Sequence, residues 1–281
     1  RARAEVATVA AVSLAVLAAD VVSGARLQMD SLLGYNPLVA GRFAGIGNIA
    51  FSVLGAAAVV LAAQVARGRS GRGAAAGVLV VAVPVVVIDG WPRWGADVGG
   101  VLTLVPAFAV LALLVTGRRV RAVHALAAGA AGAAAAGVMG WLDYLQPPDR
   151  RSHFGRFVGT ALEGGALGTI RRKAEASLDL LVMGPHTVAA AVATVLLALV
   201  IVRPPALLRA AYAVHPCLRP MHLATLVLAG VGLAVNDSIV AVPMVVVLVA
   251  GPLTLVLCAS EAVVGPVAPP YARIPPFGGA A

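Results

Sequence analysis

The sequence predicts an all-α, polytopic transmembrane helix bundle of about eight spans, with both termini on the cytoplasmic side. Three observations carry that prediction. Of the 281 residues 60% are apolar and only 12% charged, against about 25% charged in a water-soluble domain. The apolar residues fall in runs of membrane-crossing length, and arginines and aromatics segregate to opposite sets of connections. This composition excludes an ordinary soluble enzyme, a disordered tail and a nucleic-acid-binding module. The formal charge of +9 and the pI of 10.9 mark topology in so apolar a chain, not a phosphate-binding stripe.

A membrane-crossing helix takes roughly 17 to 25 apolar residues. Eight stretches approach that length, at about 5–22, 46–66, 73–89, 99–116, 123–144, 186–202, 221–236 and 239–259. The seventh is the shortest, and Asn236-Asp237-Ser238 leaves it so little loop that it reads either as half of a tight hairpin or as a re-entrant element. Residues 1–259 thus form a single bundle, and residues 260–281 a Pro/Gly-rich cytoplasmic tail.

The connections orient the bundle. Twelve basic residues fall on one side (Arg1, Arg3, Arg67, Arg69, Arg72, Arg118, Arg119, Arg121, Arg203, Arg209, Arg219, Arg273), with only Glu5 and Glu261 against them. The other side holds nine basic residues, ten of the twelve acids and all three tryptophans. The first side is therefore expected to face the cytoplasm. Within the bundle, the fifth span is so rich in Ala and Gly between His124 and Gly140 that neighbouring backbones can approach it closely, which predicts a central position. Pro84, Pro106, Pro243 and Pro252 fall inside spans, where they kink the helix or open a cavity. Cys217 and Cys258 are too few for a disulfide framework or a zinc site and read as inert small apolar residues.

The aspartates carry the functional signal. Each helix running outward ends in one: Asp20, Asp89 and Asp143 close spans one, three and five, and Asp237 follows span seven. A helix C-terminus bears partial negative charge, so an acid there has the wrong sign. Outer-loop arginines, a bound cation, a cationic ligand or plain water would answer it.

The first outer loop contains Asp30-Ser-Leu-Leu-Gly-Tyr-Asn-Pro37 and Gly41-Arg-Phe-Ala-Gly-Ile-Gly-Asn48. Its glycines permit close backbone approach. Arg42 and Asn48, beside the positive start of the second span, suit a phosphate or carboxylate, although the motif is neither a P-loop nor a dinucleotide fingerprint. The third outer loop, 146–185, is too long for a plain connection. Ser152 is placed to cap a helix with Phe154, Phe157, Val158 and Leu162 on one face and His153, Arg156, Thr160 and Glu163 on the other. A second amphipathic segment after Gly168 carries Arg171, Arg172 and Lys173. Such helices lie among lipid headgroups or fold over the aspartates as a lid, where His153 would act as acid or base.

Asp30-Ser-Leu-Leu-Gly-Tyr-Asn-Pro, Gly41-Arg-Phe-Ala-Gly-Ile-Gly-Asn48, Gly95-Ala-Asp97-Val-Gly-Gly100 and, more loosely, Asn236-Asp237-Ser238 give the chain a resemblance to a group of large multi-pass membrane proteins of high-GC Gram-positive bacteria. The resemblance implies a bacterial plasma membrane and cell-envelope setting and supplies no activity.

Three functions follow as expectations. In the first, an extracytoplasmic site binds or processes an anionic, lipid-linked phosphate. Asp30, Asp97, Asp143, Asp237 and His153 would do acid/base work or hold a divalent cation, and Arg42, Asn48, Arg156, Arg171, Arg172 and Lys173 would hold the phosphate. The second is a transporter with a central cavity, whose signature would be ionisable residues deep within spans. The third is a noncatalytic scaffold or anchor. Because the chain begins Arg1-Ala-Arg3, a soluble domain or partner chain outside this segment is expected, alongside membrane lipids as partners and no nucleic acid.

Overall fold

A computed structural model of the protein describes residues 2–29, 31, 45–165, 167–168, 171, 175, 185–235 and 241–264. The described residues are helical, with no strand among them. The helices are α1 (Ala2–Val22), α2 (Asn48–Ala66), α3 (Gly71–Gly90), α4 (Val98–Val115), α5 (Ala122–Tyr144), α6 (His153–Leu162), α7 (Pro185–Val202), α8 (Ala206–Val214), α9 (Leu218–Val235) and α10 (Ala241–Val264). Asp30, Arg42, Arg172, Lys173 and Asp237, the second amphipathic segment apart from a few residues, and the tail beyond residue 264 lie outside the described residues.

Every predicted span corresponds to a helix. Seven helices are long and apolar enough to cross a membrane singly, namely α1 to α5, α9 and α10. The sixth span, α7, ends at Pro204-Pro205, and α8 leaves the break bent by 63°. A proline disfavours helical conformation in the residue before it and cannot donate to the ladder, so two in succession separate the helices. The sequence reading treated 203–220 as a plain connection. Leu207, Leu208, Ala211 and Tyr212 recur there at helical spacing, and Leu208 and Ala211 are buried, so α8 is the element it missed. Pro84, Pro106 and Pro252 lie within the continuous helices α3, α4 and α10.

One helix is enclosed by five others. Within its spanning window α2 is 72% buried, packed by α1, α3 and α10 and more lightly by α9 and α4. Apart from Asn48, Ser52 and Gln64 it is apolar, with Phe51, Leu54, Val59 and Val60 all fully buried. Gly55 admits Leu228 of α9 and Leu104 of α4. The prediction that span five lies centrally is corrected: α5 is only 22% buried over its window and packs mainly against α4 and α6, with Met139 touching Gly90 at the end of α3. Small residues permit one close approach, here Gly132 against Leu102 and Pro106 of α4, but they do not fix how many neighbours a helix has.

The outer surface of the bundle is apolar. Val9, Val12 and Val16 of α1, Leu79, Val80 and Val83 of α3, Leu196 of α7 and Leu248 and Leu255 of α10 are exposed. Helices satisfy their own backbone groups, so such a surface is compatible with hydrocarbon. The chain is an integral, multi-pass membrane protein. Its two ends are called here the arginine end, where α2, α4 and α7 finish, and the tryptophan end, where α3 and α5 finish.

Candidate functional site

Two of the wrong-sign aspartates at the tryptophan end, Asp20 and Asp143, find their hydrogen-bond donors in the segment that follows. Asp20, 4% exposed at the end of α1, accepts from the Leu27 N–H at 2.8 Å and from Gln28 Nε2 at 3.0 Å. The other end of the Gln28 amide, Oε1, accepts from the Gly47 N–H at 3.0 Å, immediately before α2. One buried carboxylate and one buried amide thus join the end of α1 to the start of α2.

Asp143 repeats the device. At the end of α5 and 2% exposed, its carboxylate accepts from the Ser152 N–H at 3.1 Å, the Ser152 hydroxyl at 2.5 Å and the Gly155 N–H at 2.6 Å. Ser152 is the expected N-cap of α6, its Oγ accepting from the Phe154 N–H at 3.1 Å. The orphan donors of α6 and the partial positive charge of its N-terminus therefore meet the acid. Phe154, 7% exposed, reaches down to Val101 of α4 and to Ala136 and Met139 of α5, holding α6 onto the bundle.

Asp89, at the end of α3, is held through its main chain. It is fully buried and its carboxylate lies against Gly100 in the first turn of α4. Its carbonyl accepts from the Asp97 N–H at 3.0 Å, and the Ile88 carbonyl accepts from the Gly95 N–H at 3.0 Å. Gly95 packs directly on the Asp89 main chain, and its carbonyl accepts from the Ile46 N–H at 2.9 Å. Ala96 takes a left-handed φ of 49° to close the turn. Asp97, 4% exposed, occupies the N-cap of α4 without a side-chain capping bond.

These contacts bring three distant segments, 20–28, 45–48 and 89–100, into one polar layer. Of the residues singled out from the sequence, Asp20, Asn48, Asp89 and Asp97 lie in it. Asn48 is the first residue of α2 and half-buried, its carbonyl accepting from the Ser52 hydroxyl at 2.6 Å. His153 and Arg156 are exposed on α6. Arg171 is engaged by Glu175 at 2.7 Å. Arg151 donates from Nε to the Gln146 carbonyl at 2.9 Å and lies over the Tyr144 ring at 4.3 Å, while Arg150 is 4.0 Å from Asp149. Arg150, Arg151 and Arg171 thus have other partners than Asp20, Asp89, Asp97 or Asp143. Among the described residues no three His, Cys, Asp or Glu side chains are grouped to hold a metal ion.

A second polar cluster, which sequence reasoning missed, lies inside the bundle toward the arginine end. His222 of α9 is 6% exposed. Its Nδ1 is 2.8 Å from the Tyr212 hydroxyl of α8, and its Nε2 is 2.8 Å from Thr254 Oγ1 of α10. Thr254 donates to the Ala250 carbonyl at 2.7 Å, so its oxygen is left to accept from Nε2–H. The imidazole thus links three helices. Residues 212, 222 and 254 share no sequence motif; only Tyr212 and His222, near the same predicted boundary, hinted at it. Just before α9, burial pushes the Cys217 thiol up from its ordinary pKa, with Arg67 opposing in part, in keeping with an inert cysteine. No family model, curated protein or solved structure matches the chain.

Proposed function

We propose that this is a bacterial plasma-membrane protein of the cell envelope, with its arginine end in the cytoplasm and a site for an anionic, lipid-linked phosphate at its tryptophan end. The observation that carries the reading is the polar layer itself. Gly45 to Asn48 and Gly95 to Gly100, two motifs distant in sequence, are held together by the Ile46–Gly95 hydrogen bond beside the buried Asp89 and Asp97. Asp97 and Asn48, which start α4 and α2 within this layer, are the centre of the site in this reading. Asp30, Arg42 and Asp237 belong to this reading by sequence alone. A divalent cation on carboxylate oxygens would bridge to the phosphate.

The test is the lipid that copurifies with the protein, identified by mass spectrometry. Asn caps a helix about as well as Asp, so Asp97→Asn removes charge while keeping the cap residue. The expected result is a phosphate-bearing lipid on the wild type and roughly tenfold less on Asp97→Asn, at an unchanged unfolding temperature. Equal lipid on both proteins would overturn the reading and favour the noncatalytic scaffold.

A second reading, transport, is favoured by the His222 chain, because an ionisable side chain inside a membrane bundle is retained for function by default. His222→Phe is expected to abolish solute or proton flux in vesicles and to lower stability by about 1–3 kcal/mol, as Tyr212 and Thr254 lose buried partners. Flux equal to that of the wild type would exclude His222 from any such path.

A further inference from the structure

The arginine end carries a cleft of about 440 Å³ between the start of α3 and the end of α4, lined by Gly71, Arg72, Ala75, Ala112, Leu113 and Arg118 among others. We propose that this cleft binds the headgroup of one anionic phospholipid of the adjoining leaflet, its phosphate between Arg72 and Arg118 and an acyl chain along Ala75 and Ala112.

Charge in the cleft is of one sign. Arg72 lies in the first turn of α3 and Arg118 just past the end of α4, both are exposed, and neither forms an ion pair among the described residues. α3 starts at Gly71 with φ +50° and its N-cap Ser70 makes no side-chain capping bond. Its first-turn N–H groups therefore add positive potential without a side-chain acceptor.

The facing end of α4 does not cancel it. The Arg118 N–H donates to the Leu113 carbonyl and the Gly117 N–H to the Leu114 carbonyl, both at 3.0 Å, with Gly117 at φ +77°. This is a Schellman closure, which satisfies the last carbonyls of the helix and fixes Arg118 at its rim. Guanidinium groups hold phosphate by paired, charge-assisted hydrogen bonds.

The walls decide between a lipid and a soluble anion. Ala75, Ala112 and Leu113 are apolar and lie on two helices long enough to cross the membrane. The mouth therefore sits where spans meet headgroups, and basic pockets between helices at that level suit acidic lipids. The small side chains of Ala75 and Ala112 leave the width that an acyl chain needs.

The experiment is native mass spectrometry of the full chain from vesicles of equal parts phosphatidylglycerol and phosphatidylcholine. The wild type is expected to retain one phosphatidylglycerol in roughly tenfold preference, and Arg72→Gln/Arg118→Gln to lose that preference. Ala75→Leu, which keeps both charges and fills the cleft, is expected to reduce retention as well. Arg93→Gln/Arg150→Gln at the opposite end is expected to change nothing, and 10 mM inorganic phosphate to displace nothing. Undiminished retention by the double arginine variant, or equal retention of phosphatidylcholine by the wild type, would overturn the proposal. Displacement by inorganic phosphate would do the same and reassign the cleft to a soluble anion. The substituted arginines are exposed, so the variants are expected to fold, which thermal unfolding verifies.

Discussion

Replacing Gly95 with alanine is expected to destabilise the protein by about 3 kcal/mol or more, through overpacking and lost hydrogen bonds together. A methyl group at this position would overlap the carbonyl oxygen, carbonyl carbon and Cα of Asp89. All three are backbone atoms, so no side-chain rotation relieves the clash. The turn from 88 to 97 would have to open, with loss of the Gly95–Ile88, Asp97–Asp89 and Ile46–Gly95 hydrogen bonds. Asp89 would then lose its seat against α4. Gly137→Ala is the matched control, since nothing lies within 4 Å of a methyl group there and alanine favours a helix interior over glycine. Thermal unfolding in one detergent compares the two. A Gly95→Ala protein that melts with the wild type would show that the turn is not packed as described.

Asp143→Ala is expected to release α6 from the bundle. The substitution leaves the Ser152 and Gly155 N–H groups without their acceptor and frees the Ser152 hydroxyl. Losing a buried charged acceptor costs about 1–3 kcal/mol, and the ten residues of α6 are otherwise held mainly by Phe154 and Phe157. Hydrogen exchange over residues 152–162 is the decisive measurement. Protection there should fall by at least tenfold, the equivalent of about 1.4 kcal/mol, while α2 keeps its own. Asp143→Asn should lie between the two proteins, because the amide oxygen can accept from some of the donors while the amide nitrogen cannot. Unchanged protection of α6 in Asp143→Ala would refute the capping role.

The spans were legible because hydrocarbon imposes a simple rule on composition and length. Ser152 was legible as a cap for a similar reason, since a short oxygen-bearing side chain ahead of an amphipathic run has few other uses. What surrounds each helix was not legible. The Ala and Gly of α5 and the Ala and Gly of α2 say equally that a neighbour may come close, and only the packing puts α2 in the middle. The aspartates show a subtler limit. Their sign required positive charge nearby, and the sequence offers arginines as the only visible letters for it. The charge that answers Asp20 and Asp143 comes chiefly from backbone N–H groups, which every residue but proline has and no letter announces. His222 depended on three helices meeting, a fact carried by no local pattern.

The stitches along the tryptophan end are short-range: Asp20 reaches Leu27 and, through Gln28, Gly47; Asp89 abuts Gly100; Asp143 reaches Gly155. Each helical pair can therefore lock its rim soon after leaving the ribosome, with small loop-closure entropy to overcome. Helix α2 has the opposite fate. Full enclosure of α2 needs α9 and α10, which are synthesised long after it, so a nascent chain stalled before residue 218 would hold finished corners around an open middle.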